Sequence, residues 1–146
     1  MCGDGEQADY LKRLAKELNV EDRVIFAGFR DDVFEILKSS DAYMLISYRE
    51  GLSRSLMEAM ATGLPCIASK IRGNVDLIED GVGGYLVDPD DVDEIAIAIN
   101  KIAQDVILRT KMGEINLKNV KVCSIENIKR QMKKIYEEVL TNGKQS

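Results

Sequence analysis

The residues best suited to chemistry lie in one segment, Ser47–Met60, which the surrounding pattern places between a strand and a helix. Glu50 stands in the loop, and Glu58 stands about five residues inside the helix, more than one turn from its N-terminus. An ionised carboxylate only accepts hydrogen bonds, so this pair suits the hydroxyl groups of a ribose and a sugar. By spacing alone, the alternative that Glu50 is a loop charge and Glu58 an exposed helix residue is favoured.

The start of the same helix suits a diphosphate. Ser53 is a typical N-cap residue, so the backbone N–H groups of about residues 54–56 are expected to face the loop. The positive end of the helix dipole favours an anion there, and Arg54 could add a charge. Gly51 lets the backbone approach a ligand closely. In parallel sheets, ligands bind beyond the carboxyl ends of the strands, where this loop is expected to lie.

The strands and helices that position this segment are predicted from the spacing of apolar residues, which alternates between two periods along the chain. Short apolar runs predict buried strands, and i, i+3, i+4 spacings predict helices. The predicted strands are 24–27, 43–47, 66–69 and 85–87, and the main predicted helices are 7–18, 56–61, 91–104, 108–117 and 125–140. A short helical turn is expected at Asp76–Glu79 and a frayed polar tail at 141–146. Strands alternating with helices predict an α/β fold, a Rossmann-like parallel sheet with helices on both faces, in one domain over residues 1–146.

Two of these helices carry long apolar stripes. The stripes consist of Val92, Ile95, Ala96, Ile99, Ile102, Ala103 and Val106 in the first helix, and of Ile125, Ile128, Met132, Ile135, Tyr136 and Val139 in the second. Both are typical of amphipathic helices.

Composition excludes several classes of function. The net charge of −5 argues against a broad nucleic-acid-binding face. The chain has no histidine, which excludes histidine-based triads, metal sites and general bases, and no metal cluster or cofactor motif is evident. Its three cysteines are scattered, and Cys66 is expected to be a buried, inert thiol in a reducing compartment. No apolar stretch approaches the ~20 residues that span a bilayer, so a cytoplasmic location is expected.

The chemistry-bearing segment resembles a known family. Glu50 and Glu58, followed by Ala59–Pro65, are similar to the E-x7-E segment of retaining glycosyltransferases with two Rossmann-like domains, the GT-B architecture, in the glycosyl transferases group 1 family. Further segments resemble the family in the same order along about residues 3–105: Gly3–Gly5, Asp22–Val33, Ile71–Asn74 and Asp80–Val87. Glu50-x7-Glu58 alone is a weak signal, whereas the ordered set is specific.

The resemblance implies that the chain is the C-terminal, donor-binding half of such an enzyme. It implies that Glu58 holds the ribose of a nucleotide diphosphate sugar and that Glu50, the candidate catalytic residue, contacts the transferred sugar. The backbone of the loop and the helix start would contact sugar and phosphates, and another loop would line the base. Besides Glu58, the residues implied to contact sugar and phosphates are Gly51, Leu52, Ser53, Arg54 and Ser55. The residues implied to line the base are Gly28, Phe29 and Arg30. Packing of Phe29 and an ion pair of Arg30 with Asp31 or Asp32 are open alternatives.

Parts of the family pattern are not found in this sequence. Family C-terminal domains carry two strands and a basic pair before the segment that resembles Gly3–Gly5. In the family's sheet order, those strands stand between strand 24–27 and strand 43–47. We therefore expect strand 24–27 to pair directly with strand 43–47, or another chain to fill the gap between them. That chain would be a second copy in a homo-oligomer or a chain that supplies an N-terminal domain.

The expected function is retaining glycosyl transfer from a nucleotide diphosphate sugar, with capsule or exopolysaccharide synthesis as the expected setting. Without the basic pair, the isolated chain is expected to be inactive, because stabilising the departing diphosphate is a major part of such chemistry. The alternative is a non-catalytic module that binds nucleotide or a protein partner.

Overall fold

The computed structural model describes residues 1–142, with side chains through Leu140. Its helices are α1 (Ala8–Glu17), α2 (Val33–Lys38), α3 (Arg54–Ala61), α4 (Val92–Gln104), α5 (Val106–Asn119) and α6 (Ile125–Asn142), and its strands are β1 (Tyr43–Leu45), β2 (Cys66–Ser69) and β3 (Gly84–Val87). Short 3-10 turns occupy Glu21–Arg23 and Val120–Cys123. The chain divides into two compact units, Met1–Ile36 and Leu37–Ser146, so the expected single domain over residues 1–146 stays a prediction.

The strands of the second unit form a parallel sheet in the order β1-β2-β3. Tyr43 pairs with Cys66 in the register of β1 on β2, and Cys66 pairs with Gly84 in the register of β2 on β3. Every residue of β2 is buried. Because successive side chains of a strand point to opposite faces, both faces of the central strand are covered. The α/β, Rossmann-like prediction is confirmed.

The core of this unit joins the sheet to two helices. Ile67 of β2 and Val87 of β3 pack with Ala98 and Ile102 of α4 and with Met112 of α5. Cys66 is fully buried, and burial raises the pKa of its thiol to about 12. The thiol therefore stays protonated at neutral pH, which confirms the prediction of an inert, buried cysteine.

One buried amide ties α5 to the starts of two strands. The side-chain Nδ2 of Asn116 donates to the carbonyl oxygen of Leu64 at 2.7 Å and to that of Gly83 at 2.6 Å. Leu64 and Gly83 lie just before β2 and β3. A side chain at Gly113 on the same helix would overlap the backbone of Gly63, so the helix approaches this turn closely. These contacts hold α5 at the N-terminal end of β2 and β3, opposite to the end where the loop after β1 lies.

The predicted buried strand 24–27 is wrong. Val24–Ala27 is not one of the three strands of the sheet, and Ile25 is 78% exposed. Its backbone bonds to the N-terminal residue instead: the N–H of Ala27 donates to the carbonyl of Met1 at 2.9 Å, and the terminal amine of Met1 donates to the carbonyl of Ile25 at 2.6 Å. The expected direct pairing with strand 43–47 therefore does not form, and filling of the gap by another chain stays a prediction.

The helical stripes are placed differently from the prediction. In α4 the residues turned to the core are Ile95, Ala98 and Ile102, whereas Val92 is 74% exposed, and Ala96, Ile99, Ala103 and Val106 are exposed as well. The stripe of α6 is also exposed throughout its described residues. A helical period identifies rows of apolar side chains but not which row meets the sheet, because that depends on how the helix docks.

The helical turn lies at 72–77, earlier than the predicted Asp76–Glu79. Of the predicted tail, Thr141 and Asn142 continue α6, and the rest lies outside the described residues. Within the described part of the chain, every helix is too short or too polar to cross a membrane.

Replacing Asn116 by alanine should destabilise the fold. The carbonyl of Leu64 would keep only a weak donor, the thiol of Cys66 at 3.5 Å, and a buried polar group without a good partner costs about 1–3 kcal/mol. We expect Asn116→Ala to lower the free energy of unfolding by that amount in urea titrations followed by circular dichroism. Asn119→Ala, at an exposed position of the same helix, is the control and should change it by less than about 0.5 kcal/mol. Equal unfolding midpoints for the two variants would contradict this role of Asn116.

Candidate functional site

The loop that joins β1 to α3 leads directly into a capped helix. Ser53 has an extended backbone (φ −70°, ψ 112°), and its side-chain Oγ accepts the N–H of Leu56 at 3.4 Å. Its side chain is buried, with only 5% of the residue exposed. The predicted N-cap is confirmed. The remaining free N–H groups of the first turn lie beyond the carboxyl end of β1, where a parallel sheet places its ligands.

Glu58 lies on the solvent side of α3. Its Oε1 accepts the Nε of Arg54 at 2.9 Å, one turn earlier in the helix. The Arg54 side chain is 89% exposed and that of Glu58 is 40% exposed. An exposed ion pair of this type contributes at most about 1 kcal/mol. The carboxylate of Glu58 is therefore accessible, and a ligand hydroxyl can compete with Arg54 for it.

Glu50 is half-buried in the loop. The hydroxyl of Ser47 donates to its Oε1 at 3.0 Å. The carboxylate keeps further lone pairs for a ligand, since two oxygens offer about four acceptor positions. Glu50 and Glu58 thus lie on the two sides of the helix start, one before the cap and one inside the helix.

The remaining predicted residues of this loop have different surroundings. A side chain at Gly51 would meet open space, so a ligand can approach its backbone. Leu52 is 58% exposed. Ser55 is half-buried, and its Oγ accepts the hydroxyl of Tyr43 at 2.8 Å, which links the helix to β1. Gly51 and Leu52 are accessible, whereas the side chain of Ser55 is already engaged.

Two tyrosines that the sequence did not indicate as functional, Tyr43 and Tyr48, form hydrogen bonds that connect the loop after β1 and helix α3 to neighbouring elements. Burial raises the pKa of Tyr43, so its hydroxyl remains protonated as a donor to Ser55. The hydroxyl of Tyr48 donates to Asp90 Oδ1 at 2.6 Å, and this bond raises the pKa of Tyr48. Asp90 follows β3, so Tyr48 connects two loops at the same end of the sheet. Both pairs are far apart in the chain, and no local pattern signals them.

The residues predicted to line the base, Gly28, Phe29 and Arg30, belong to the unit Met1–Ile36. Gly28 has a φ of +62°, a conformation that favours glycine. Phe29 is 82% exposed, which contradicts the alternative that it is packed in a core. Arg30 forms a bidentate pair with Asp32, with Nε–Oδ1 at 2.7 Å and Nη2–Oδ2 at 2.5 Å. That hydrogen bond raises the pKa of Arg30 and lowers the pKa of Asp32.

The described residues contain no group of three or more histidine, cysteine, aspartate or glutamate side chains placed to hold a metal ion. The free backbone N–H groups at the start of α3 are suited to an anion, and the two carboxylates are suited to accept hydrogen bonds from hydroxyl groups.

Comparison with known proteins decides the family. The profile of the glycosyl transferases group 1 family matches residues 1–119. The chain belongs to the glycosyl transferases group 1 family. It is 36% identical, over 99% of its length, to N-acetyl-alpha-D-glucosaminyl L-malate synthase of Bacillus anthracis. It is 34% identical, over 97% of its length, to UDP-Gal:alpha-D-GlcNAc-diphosphoundecaprenol alpha-1,3-galactosyltransferase of Escherichia coli.

Solved structures of glycosyltransferases share the fold of this family member. HepE of Anabaena in complex with UDP superimposes with a TM-score of 0.84 at 28% identity, over 94% of this chain and 40% of HepE. A TarM mutant of S. aureus, whose complex also contains UDP, superimposes with a TM-score of 0.85 at 25% identity, over 92% of this chain and 28% of TarM. The predicted resemblance to GT-B glycosyltransferases is confirmed.

The chain spans only part of these relatives. It corresponds to 38% of the length of the Bacillus anthracis enzyme and 37% of that of the Escherichia coli enzyme. The roles of Glu50, Glu58 and the loop residues in this family member stay predictions.

Two substitutions of Ser53 should show how much its capping oxygen contributes to stability. Ser53→Ala removes the acceptor of the Leu56 N–H, and loss of an N-cap side chain costs about 1 kcal/mol of stability. Ser53→Asp supplies another capping oxygen and should retain most of that stability. Thermal and urea unfolding of the two variants measure the difference. If the alanine variant were as stable as the wild type, the cap would contribute nothing to the fold.

Proposed function

We propose that this chain binds the nucleotide diphosphate sugar donor of a retaining glycosyltransferase. The observation that carries the proposal is the capped start of α3 with Glu50 before it and Glu58 within it, in a chain that belongs to the glycosyl transferases group 1 family. The free N–H groups and the helix dipole suit the diphosphate. The two carboxylates suit the hydroxyl groups on either side of it.

Each residue of the site has a proposed role. Glu58 holds the ribose, with its exchangeable partner Arg54 turning to the phosphates. Glu50 contacts the transferred sugar. The backbone of 51–55 contacts sugar and phosphates. Gly28, Phe29 and Arg30 line the base, and the exposed ring of Phe29 is free to stack on it.

We propose UDP as the nucleotide. The supporting observation is that the complexes of HepE and TarM, which share this fold at 28% and 25% identity, contain UDP. The name of the Escherichia coli relative also specifies a UDP-sugar as its donor. The same relative acts on a sugar carried by diphosphoundecaprenol, which supports capsule or exopolysaccharide synthesis as the setting.

Removing the Glu58 carboxylate should weaken nucleotide binding. Hydrogen bonds to charged groups contribute about 1.5–3 kcal/mol, so Glu58→Ala should raise the dissociation constant for UDP by roughly tenfold or more. Isothermal titration calorimetry with UDP measures this. Glu126→Ala, at an exposed carboxylate in the first turn of α6, is the matched control and should bind as the wild type does. Equal affinities for Glu58→Ala and wild type would remove Glu58 from the ribose role.

The 146-residue chain should bind a donor without transferring its sugar. It spans 38% of the Bacillus anthracis relative, and the basic pair that stabilises the leaving diphosphate in the family has no counterpart in its sequence. We expect no glycosyl transfer from UDP-sugars to simple acceptors, measured as UDP release by the purified chain. Turnover by this chain that disappears in Glu50→Ala would contradict the expectation. If the chain bound no nucleotide at all, a module that binds a protein partner would be the better interpretation.

A further inference from the structure

The carboxylate of Glu50 is held by the residue three positions before it. Ser47 is the first residue of the loop pattern Ser47-x-x-Glu50, and its Oγ donates to Glu50 Oε1 at 3.0 Å. A flexible glutamate in a loop would otherwise lose rotamer freedom when it binds a ligand, and this loss is an entropic cost of binding. A hydrogen bond from Ser47 removes part of that cost in advance, since the carboxylate is already oriented.

Ser47 is itself tied to the central strand. Its backbone N–H donates to Ser69 Oγ at 2.7 Å. Ser69 is the last residue of β2 and is fully buried, so its hydroxyl is a rigid anchor. The side-chain amide of Asn74, also fully buried, donates to the carbonyl of Ser69 at 3.0 Å. The loop that carries Glu50 is thereby linked to a strand that follows it by about twenty residues in the chain.

A second contact supports the loop at Gly51. Gly73 is buried and has a φ of +93°. Any Cβ at this position would overlap the carbonyl group of Gly51 and lie 3.3 Å from the carbonyl oxygen of Glu50. The segment after β2 therefore packs directly against the backbone of the site loop. Only glycine combines this close approach with this backbone conformation.

We propose that Ser47 is a positioning residue that orients the Glu50 carboxylate toward the transferred sugar, with Ser69 as its anchor and Gly73 as the support of the loop. The proposal rests on the proposed function in assigning the sugar to Glu50. Ser47 acts through Glu50 and not on the ribose, since the carboxylate proposed for the ribose, Glu58, bonds to Arg54 instead. Loss of Ser47 should therefore affect recognition of the sugar and leave recognition of UDP in place.

The test compares Ser47→Ala, Ser47→Thr and wild type by calorimetry with two probes, UDP and UDP-glucose. We expect the ratio of the UDP dissociation constant to that for UDP-glucose to fall about tenfold in Ser47→Ala. The constant for UDP itself should change by less than about twofold, and Ser47→Thr, which keeps the hydroxyl, should restore the wild-type ratio. An unchanged ratio in Ser47→Ala, or an equal loss of affinity for both probes, would overturn the proposal.

A second measurement is independent of any ligand. Amide hydrogen exchange of Glu50, Gly51 and Leu52 should be faster in Ser47→Ala, and in Ser69→Ala the Ser47 amide should also lose protection. Unchanged exchange in both variants would overturn the positioning role. If wild type bound neither UDP nor UDP-glucose, the proposed function would fail and with it the assignment of the sugar to Glu50, whereas faster exchange would still establish the tether of Ser47.

Discussion

Helix α3 begins immediately beyond the carboxyl end of β1, and this arrangement places free backbone N–H groups, a cap and two carboxylates in one short segment. The N–H groups of a first helical turn have no partners within the helix. Ser53 satisfies that of Leu56, and the others remain suited to an anion. Burial of Leu56, Ala59 and Met60 holds the helix on the sheet, so its N-terminus cannot move independently of the strands.

The parallel sheet supplies the rigidity that this loop lacks by itself. β2 is buried on both faces and pairs with β1 and β3. Ser69 at its end bonds to the loop after β1, and Tyr48 of that loop bonds to Asp90 after β3. All three strands of the described sheet thus contribute to one end of it. The opposite end is closed by Asn116, whose single amide bonds to the residues before β2 and β3.

The ion pairs of the residues predicted to bind the donor are exposed in both units, whereas the neutral hydrogen bonds around the loop after β1 are more buried. Arg54–Glu58 and Arg30–Asp32 lie where water screens them, and such pairs contribute little to stability. A ligand can replace either partner at small cost. The bonds of Ser47, Ser53 and Tyr43 are part-buried or buried, so they are better suited to maintaining the shape of the loop. The exposed side chains of Arg54 and Glu58 are thus accessible to a ligand, whereas the hydrogen bonds of Ser47, Ser53 and Tyr43 support the loop.

The sequence by itself determined the features that depend on near neighbours in the chain. The alternation of strands and helices, the cap at Ser53, the glutamates on the two sides of that cap and the buried thiol of Cys66 all follow from local period and spacing. The ordered motifs also predicted the family that the profile match shows.

Tertiary structure alone decided the features that need partners from distant parts of the chain. Val24–Ala27 has the composition of a strand, but a strand also requires a neighbour in a sheet, and its backbone bonds to Met1 instead. The apolar row of α4 that faces the core is set by docking on β2 and β3. The bond from Ser47 to Ser69 and the contact of Gly73 with Gly51 join segments about twenty residues apart. Non-local hydrogen bonds and burial leave no periodic trace in a sequence, because each depends on where the remainder of the chain folds.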